Sequence, residues 1–431
     1  MTDLIDALTG IRPGDALDSA RSRRPDARTH AQGSFLALFQ PADASEVTLP
    51  ERAAVALFVA RLHGNQAAVS FYGSLLLETG GGAALEPLIV AEATRAGGSG
   101  PYGAFRAENA DESVPGPEYT VDSVEASYVL DDRLAAALEH AHFLVMHPRD
   151  ASRDRLRRLL DDGWSTTGVV TLSQLVSFLT FQLRVVHGLT VLREAAGGSV
   201  TAPTDEELGA LAEEVAVTAA RRLEDSGGLR RSGAPEELPD APRVNEPPRF
   251  TADNLGWKPW LAPLPVSEFT ERHYEALVER ERVHMPYFRL LARDPEALHE
   301  RTLTDMDIFY NTDGGLPRAD RELAAAAASR FNGCVFCASV HARFAAEQGA
   351  PRSDVQRLLD EGVTARISSR WDALIDATVA LTATPPRFGA EEAARLRAAG
   401  LAELELLDVI QAGSFFNWAN RLMLSLGEPT L

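Results

Sequence analysis

Two stretches of this chain run in step 269 residues apart, and that repeat constrains the fold more than any other feature. Leu49 to Gly64 resembles Leu316 to Gly333, each an Ala-rich segment closed by Arg-x-x-Gly. The spacing is 330 − 61 = 269 at the arginines and 333 − 64 = 269 at the glycines. It persists without a gap to Glu78-Thr79-Gly80 and Glu347-Gln348-Gly349. A second pair of blocks, Leu138 to Pro148 and Leu374 to Pro386, follows in the same order, and each copy ends in an aromatic-containing helix. Between the blocks the first copy carries (148 − 80) − (386 − 349) = 31 extra residues, including the glycine-rich run 97–103, which is expected to form a surface loop. A first block in gap-free register and a second block in the same order are more than shared alanine content produces, so the chain is expected to be a duplication.

The repeated unit reads as all-α. Apolar residues recur at helical spacing over Pro50–Leu77, Asp131–Val145, Leu172–Leu192, Asp205–Leu223, Ser267–Leu291, Ala319–Gln348, Trp371–Thr382 and Ala402–Leu426. Ser267 is placed to cap one of these helices, and Asp320 and Glu322 fall in the first turn of another. Residues 226–265 break the pattern with Pro235, Pro239, Pro242, Pro247, Pro248, Pro259, Pro263 and Pro265. Proline at that density cannot continue a helix, so the expected layout is a helical domain over 1–225, a Pro-rich linker over 226–265 and a second helical domain over 266–431.

Charge and hydropathy exclude several function classes. The net charge of −20 argues against nucleic acid or an anionic membrane as the main partner, because both need clustered cations. The most apolar stretch, Leu175 to Leu192, carries Gln182, Arg184 and His187 and reads as a buried helix rather than a membrane span. The N-terminus opens with acid where a secretory signal would be basic and then apolar, so the cytoplasm is the expected compartment.

Both cysteines of the chain fall in one C-x-x-C, Cys334 and Cys337. A single bridge of that span staples nothing in 431 residues, so the pair is not a structural framework. Asn332-Gly333 is a helix-stop signal, after which Cys334 opens the next helix, where unpaired amides favour a thiolate. Cys334 and Cys337 share a face at i and i+3, and His341 follows one turn later. If the chain turns back at Gly333, Glu322 and His341 lie about 16 and 12 Å from the bend, nearly level. An antiparallel hairpin therefore sets Glu322 beside His341 and His341 beside Cys337, a nucleophile with a base and an orienting acid.

The pattern Glu322-x11-Cys334-x-x-Cys337-x3-His341 resembles the signature of the alkylhydroperoxidase D (AhpD) branch of the carboxymuconolactone decarboxylase-like family. The resemblance covers most of residues 265–431, with a degenerate form over much of residues 16–195. It implies two tandem AhpD-like helical bundles, assembly into a homo-oligomer, and peroxidase chemistry on an organic hydroperoxide. Cys337 would attack the peroxide and Cys334 would resolve. Glu322 and His341 would relay protons, an external dithiol would serve as reductant, and no cofactor or metal is implied. Well-known members carry a histidine directly before the second cysteine; here that position is Phe336, which implies a simpler relay and a more apolar pocket. At the 269 spacing the first copy holds Ala53, Asn65, Ala68 and Tyr72 in place of the four motif residues, so it is expected to lack this chemistry.

Other readings of the same residues stay open at this point. Inert buried thiols, a zinc site drawn from Cys334, Cys337, His341 and Glu322, and thiol–disulfide exchange without peroxide chemistry all use the same side chains, although structural zinc normally needs a second Cys/His pair. A non-redox assembly or binding protein with vestigial thiols is a further class. His140, His142 and His147 form a small cluster that reads as core-satisfied or solvated rather than metal-binding. Trp257 and Trp260 are expected to anchor the linker onto the second domain. Phe415, Phe416 and Trp418 read as core, and Glu271 to His284 as a solvated helix face.

Overall fold

The fold is described from a computed structural model over residues 2–121, 126–195, 202–226, 238–239 and 244–431. Much of the expected linker, at 227–237 and 240–243, lies outside the described residues. Among the described residues the fold is all-α, with one two-stranded sheet of Gly256–Pro259 against Gly427–Thr430.

Local signals set the helix ends. Thr48 and Glu51 form a reciprocal capping box at the start of Leu49–His63, and Gly64 ends that helix at φ +69. Asn65 then caps Gln66–Glu78 through its side chain. A turn at the same spacing follows Arg318–Asn332: Gly333 sits at φ +82, and Cys334 takes the N-cap position of Val335–Glu347 without a side-chain hydrogen bond. The two helix pairs begin 318 − 49 = 335 − 66 = 269 residues apart. Later helices keep a second spacing, 390 − 153 = 403 − 166 = 237, for Arg153–Asp161 with Ala390–Ala398 and for Thr166–Ala195 with Glu403–Leu426.

Long helices pack in pairs across the molecule. Helix Thr166–Ala195 lies along Glu403–Leu426, and Pro25–Phe39 lies along Pro295–Tyr310. Gly188 lets the two long helices approach, because a Cβ there would stand 2.8 Å from Ile410 Cγ2. Phe178, Phe181, Phe415 and Trp418 interlock across the same seam, with Phe178 edge-on to Trp418 at 5.2 Å. By length and composition Thr166–Ala195 could cross a membrane, but most of it is buried inside the protein.

Two buried arginines cross this seam in opposite directions. Arg184 donates to the carbonyls of Leu381 (3.1 Å) and Thr382 (2.9 Å), at the C-terminus of Ser369–Thr382. Arg421 donates to the carbonyl of Val145 (3.2 Å), at the C-terminus of Asp132–Met146. Each guanidinium thus meets carbonyls that a helix end leaves unpaired, where the macrodipole favours a cation. A buried ion pair, Arg24 with Asp408 at 2.8 Å, also ties the first half to the second long helix.

Several expectations are corrected. Ser267–Leu291 is not one helix: it breaks into short turns at Val266–Glu268, Glu271–Ala276, Arg280–His284 and Pro286–Leu291, with Val278 at φ +64 and Pro286 opening the last. Thr270, not Ser267, stands at the N-cap of Glu271–Ala276. Run 97–103 is irregular and partly exposed, as expected of a surface loop, and is pinned where Gly100 exchanges backbone hydrogen bonds with Thr384 at 2.8 and 3.0 Å. Pro50–Leu77 likewise divides at Gly64 into the two helices already described.

Candidate active site around Cys337

The hairpin geometry expected from spacing is present. Helices Arg318–Asn332 and Val335–Glu347 pack antiparallel after the Gly333 turn, and Glu322 meets His341 with Oε2 2.5 Å from Nδ1. Glu322 is fully buried, and its other oxygen accepts from Arg318 Nε at 2.5 Å. An ionised carboxylate can only accept, so His341 Nδ1 carries the proton and Nε2 is left as the basic nitrogen. Nε2 makes no hydrogen bond among the described residues.

Cys334 and Cys337 are free thiols, both buried, with sulfurs 3.0 Å apart. Burial pushes the Cys334 thiol well above its ordinary range, and the neighbouring Cys337 adds to that shift. This corrects the expectation that the helix start would favour a thiolate at Cys334. Here desolvation outweighs the partial charge of the amides.

Cys337 and His341 open into a cavity of about 380 Å³. Trp257, Tyr287, Phe288, Phe336, Phe415 and Phe416 supply aromatic walls, Met285 and Met423 add sulfur, and Arg301 and Asp305 bring charge from helix Pro295–Tyr310. Phe336 therefore makes the pocket apolar where the second histidine would stand. Phe415 and Phe416 correct the reading of those rings as core alone: both are buried, yet both line the cavity, and Phe416 packs 4.0 Å from the His341 ring. Trp257 also does more than anchor. Its indole donates to the Met423 carbonyl at 3.0 Å, and its strand holds it on the cavity wall. Trp260 is buried, as an anchor should be. The glutamates of the Glu271–His284 segment are solvent-exposed as expected, but His284 reaches the cavity wall.

The first half reaches the cysteine turn from behind. Arg149 donates to the Phe331 carbonyl from Nε (3.1 Å) and Nη2 (2.5 Å) and stacks over Phe105 at 4.2 Å. A Cβ on Gly333 would stand 2.8 Å from Arg149 Cγ, so glycine serves both the positive φ and the close approach. At the positions matching the motif, Ala53, Ala68 and Tyr72 are buried, and Tyr72 donates to Gln182 at 2.5 Å.

Arg318, Arg301, Asp305 and Tyr287 were not foreseen. Arg318 carried a signal, four residues before Glu322 on one helix face. The other three come from segments whose approach to Cys337 is tertiary. The histidine cluster is core-satisfied: His140 pairs with Ser173 at 3.1 Å, and His142 with the Ala96 carbonyl at 3.1 Å. His147 lies between Asp150 (3.0 Å) and the Pro117 carbonyl (2.9 Å).

Comparison with known proteins gives one finding about this region. The carboxymuconolactone decarboxylase family model matches residues 295–380, a span that contains Glu322, Cys334, Cys337 and His341. No curated protein and no solved structure matches the chain. The likeness to the carboxymuconolactone decarboxylase family is thus confined to residues 295–380, with the dithiol hairpin at their centre.

Proposed function

We propose that the protein is a thiol peroxidase of alkylhydroperoxidase type, reducing organic hydroperoxides at Cys337. The observation that carries this reading is the Glu322–His341 contact, which leaves a basic nitrogen one helical turn from Cys337 inside an apolar cavity. His341 Nε2 takes the Cys337 proton, and the thiolate attacks the terminal peroxide oxygen. The O–O bond breaks, Cys337 becomes a sulfenic acid, and the alkoxide leaves as an alcohol with the proton held on His341. Cys334 condenses with the sulfenic acid, releasing water and forming the Cys334–Cys337 disulfide. An external dithiol returns both cysteines to thiols and is itself oxidised to a disulfide. A resolving thiol that stays protonated until a sulfenic acid forms suits the burial of Cys334.

In this proposal the first half is a degenerate copy that keeps the frame and not the chemistry. The shared helix spacing and the reciprocal Arg184 and Arg421 contacts support that reading. Equivalent faces that separate subunits of a homo-oligomer would offer each other are here joined within one chain.

Stopped-flow reaction of the pre-reduced protein with an organic hydroperoxide, with thiols counted before and after, tests the function. Cys334→Ser should react once and stall as a trappable sulfenic acid, and Cys337→Ser should not react. Equal, slow reaction of both variants would leave the thiols without a peroxidatic role.

A further inference from the structure

Arg301 stands in the Cys337 cavity with no carboxylate at contact distance among the described residues. It is 5% exposed, its Nε is shielded from solvent with no hydrogen-bond partner, and it makes no ion pair among the described residues. Three rings hold its guanidinium carbon instead: Phe415 at 5.0 Å, Trp418 at 5.8 Å and Tyr287 at 5.9 Å. Such contacts orient a guanidinium and leave its N–H groups unpaired, which is costly for a buried cation. Tyr287 Oη is also buried without a partner. Burial pushes its phenol up to about 12, so it remains a donor.

Two unpaired donors on the wall of one cavity, above a floor of aromatic rings, define what would fill it. We infer that the cavity binds an organic carboxylate, its head on Arg301 and Tyr287 and its apolar body against Trp257, Phe336 and Phe416. On the peroxidase reading, on which the substrate assignment rests, the substrate is then a hydroperoxide of an apolar carboxylic acid, with its peroxide end toward Cys337 and His341. Asp305, one turn from Arg301, makes no hydrogen bond or ion pair among the described residues and does not occupy the guanidinium. Burial holds its carboxyl above the usual range, while the Arg301 guanidinium draws it the other way. His341, His284 and Arg301 supply the remaining polar and basic groups of the wall, and Glu322 lies behind His341 and outside the lining.

Unreactive probes separate this inference from the peroxidase reading. Calorimetric titration of the reduced full-length protein would compare 4-isopropylbenzoate with its neutral isostere, 4-isopropylbenzamide. The benzoate should bind at least about tenfold more tightly, since a charge-assisted bidentate contact is made only by the acid. It should also protect Cys337 from iodoacetamide at concentrations where the amide does not. Arg301→Gln should abolish the preference. Tyr287→Phe, which keeps the ring, should weaken the benzoate several-fold and leave the amide unchanged. Equal binding of the two probes, no binding of either, or a preference that survives Arg301→Gln would overturn the inference. Selective binding by a protein that consumes no peroxide would uphold the carboxylate site and remove only the peroxidase reading.

Discussion

His341 meets Glu322 nineteen residues back along the chain, Nδ1 on Oε2 at 2.5 Å, across a turn that ends at Gly333. The contact fixes both the tautomer and the direction of the imidazole, because the carboxylate is itself held by Arg318 and fully buried. A base set this way is pre-oriented before any substrate arrives.

Removing either partner should slow the peroxide step and leave the fold. General-base assistance contributes about 10²–10⁴-fold, so His341→Ala should lose at least about tenfold in the stopped-flow rate. Glu322→Gln keeps the shape but frees the tautomer and should lose a comparable share. Arg318, left without its carboxylate, is partly exposed, so thermal midpoints should fall only slightly. Unchanged rates in both variants would take the pair out of the mechanism.

The hairpin was legible in the sequence because its parts are local. Asn332-Gly333 gives the stop, the following turn gives the cap, and counting at 1.5 Å per residue brings Glu322 level with His341. The cavity was not legible, since its walls come from five separated segments and no periodicity encodes their meeting. Segment 267–291 shows why pattern alone misleads: its apolar residues recur at helical spacing, yet Val278 adopts φ +64 and Pro286 restarts the chain. The wall residues Met285, Tyr287 and Phe288 follow from that break, because one continuous helix would have aimed them elsewhere. Phe415 and Phe416 were readable as buried, but burial in the core and burial under a ligand cavity look the same in sequence.

Cys334 should behave as a protonated thiol through neutral pH. In Cys337→Ser, alkylation of the remaining thiol should stay slow at pH 7 to 8 and rise only well above the ordinary thiol value of 9.0. The sign for stability follows from the same shift. The unfolded chain ionises Cys334 at pH values where the folded chain does not, so this contribution is present below about pH 9 and is lost as pH rises further. Fast alkylation at pH 7 in that variant would contradict the assignment of Cys334 as resolving thiol.

Acid should weaken the first half through its buried histidines. Burial pushes His140 down to about 3 and His142 down to about 4, so both stay neutral in the fold while the unfolded chain protonates them near 6.5. Their stabilisation is complete above about pH 6.5 and is lost as pH falls toward 4 and below. Thermal midpoints followed from pH 7 to pH 4 should drop, and His140→Gln should flatten that drop even if it lowers the starting value. A pH-independent midpoint over this range would refute the depressed values.

The two halves should unfold as one unit, and Arg184 and Arg421 are where this can be tested. Each donates to a helix end of the opposite half, and each is fully buried. Replacing Arg184 with leucine strands the Leu381 and Thr382 carbonyls, and also His63 Nε2, which lies 2.8 Å from the guanidinium. Buried polar groups without partners cost about 1–3 kcal/mol each, so Arg184→Leu should destabilise by at least about 3 kcal/mol. Arg421 makes fewer contacts across the seam, and Arg421→Leu should cost less. If the first half is a scaffold for the second, calorimetry of the intact protein should show a single transition, and each variant should lower it as a whole. Residues 244–431 alone should then expose the apolar face of Glu403–Leu426 and aggregate or change subunit number. Two separate transitions, of which Arg184→Leu shifts only one, would mean that the halves are independent domains and would end the scaffold reading.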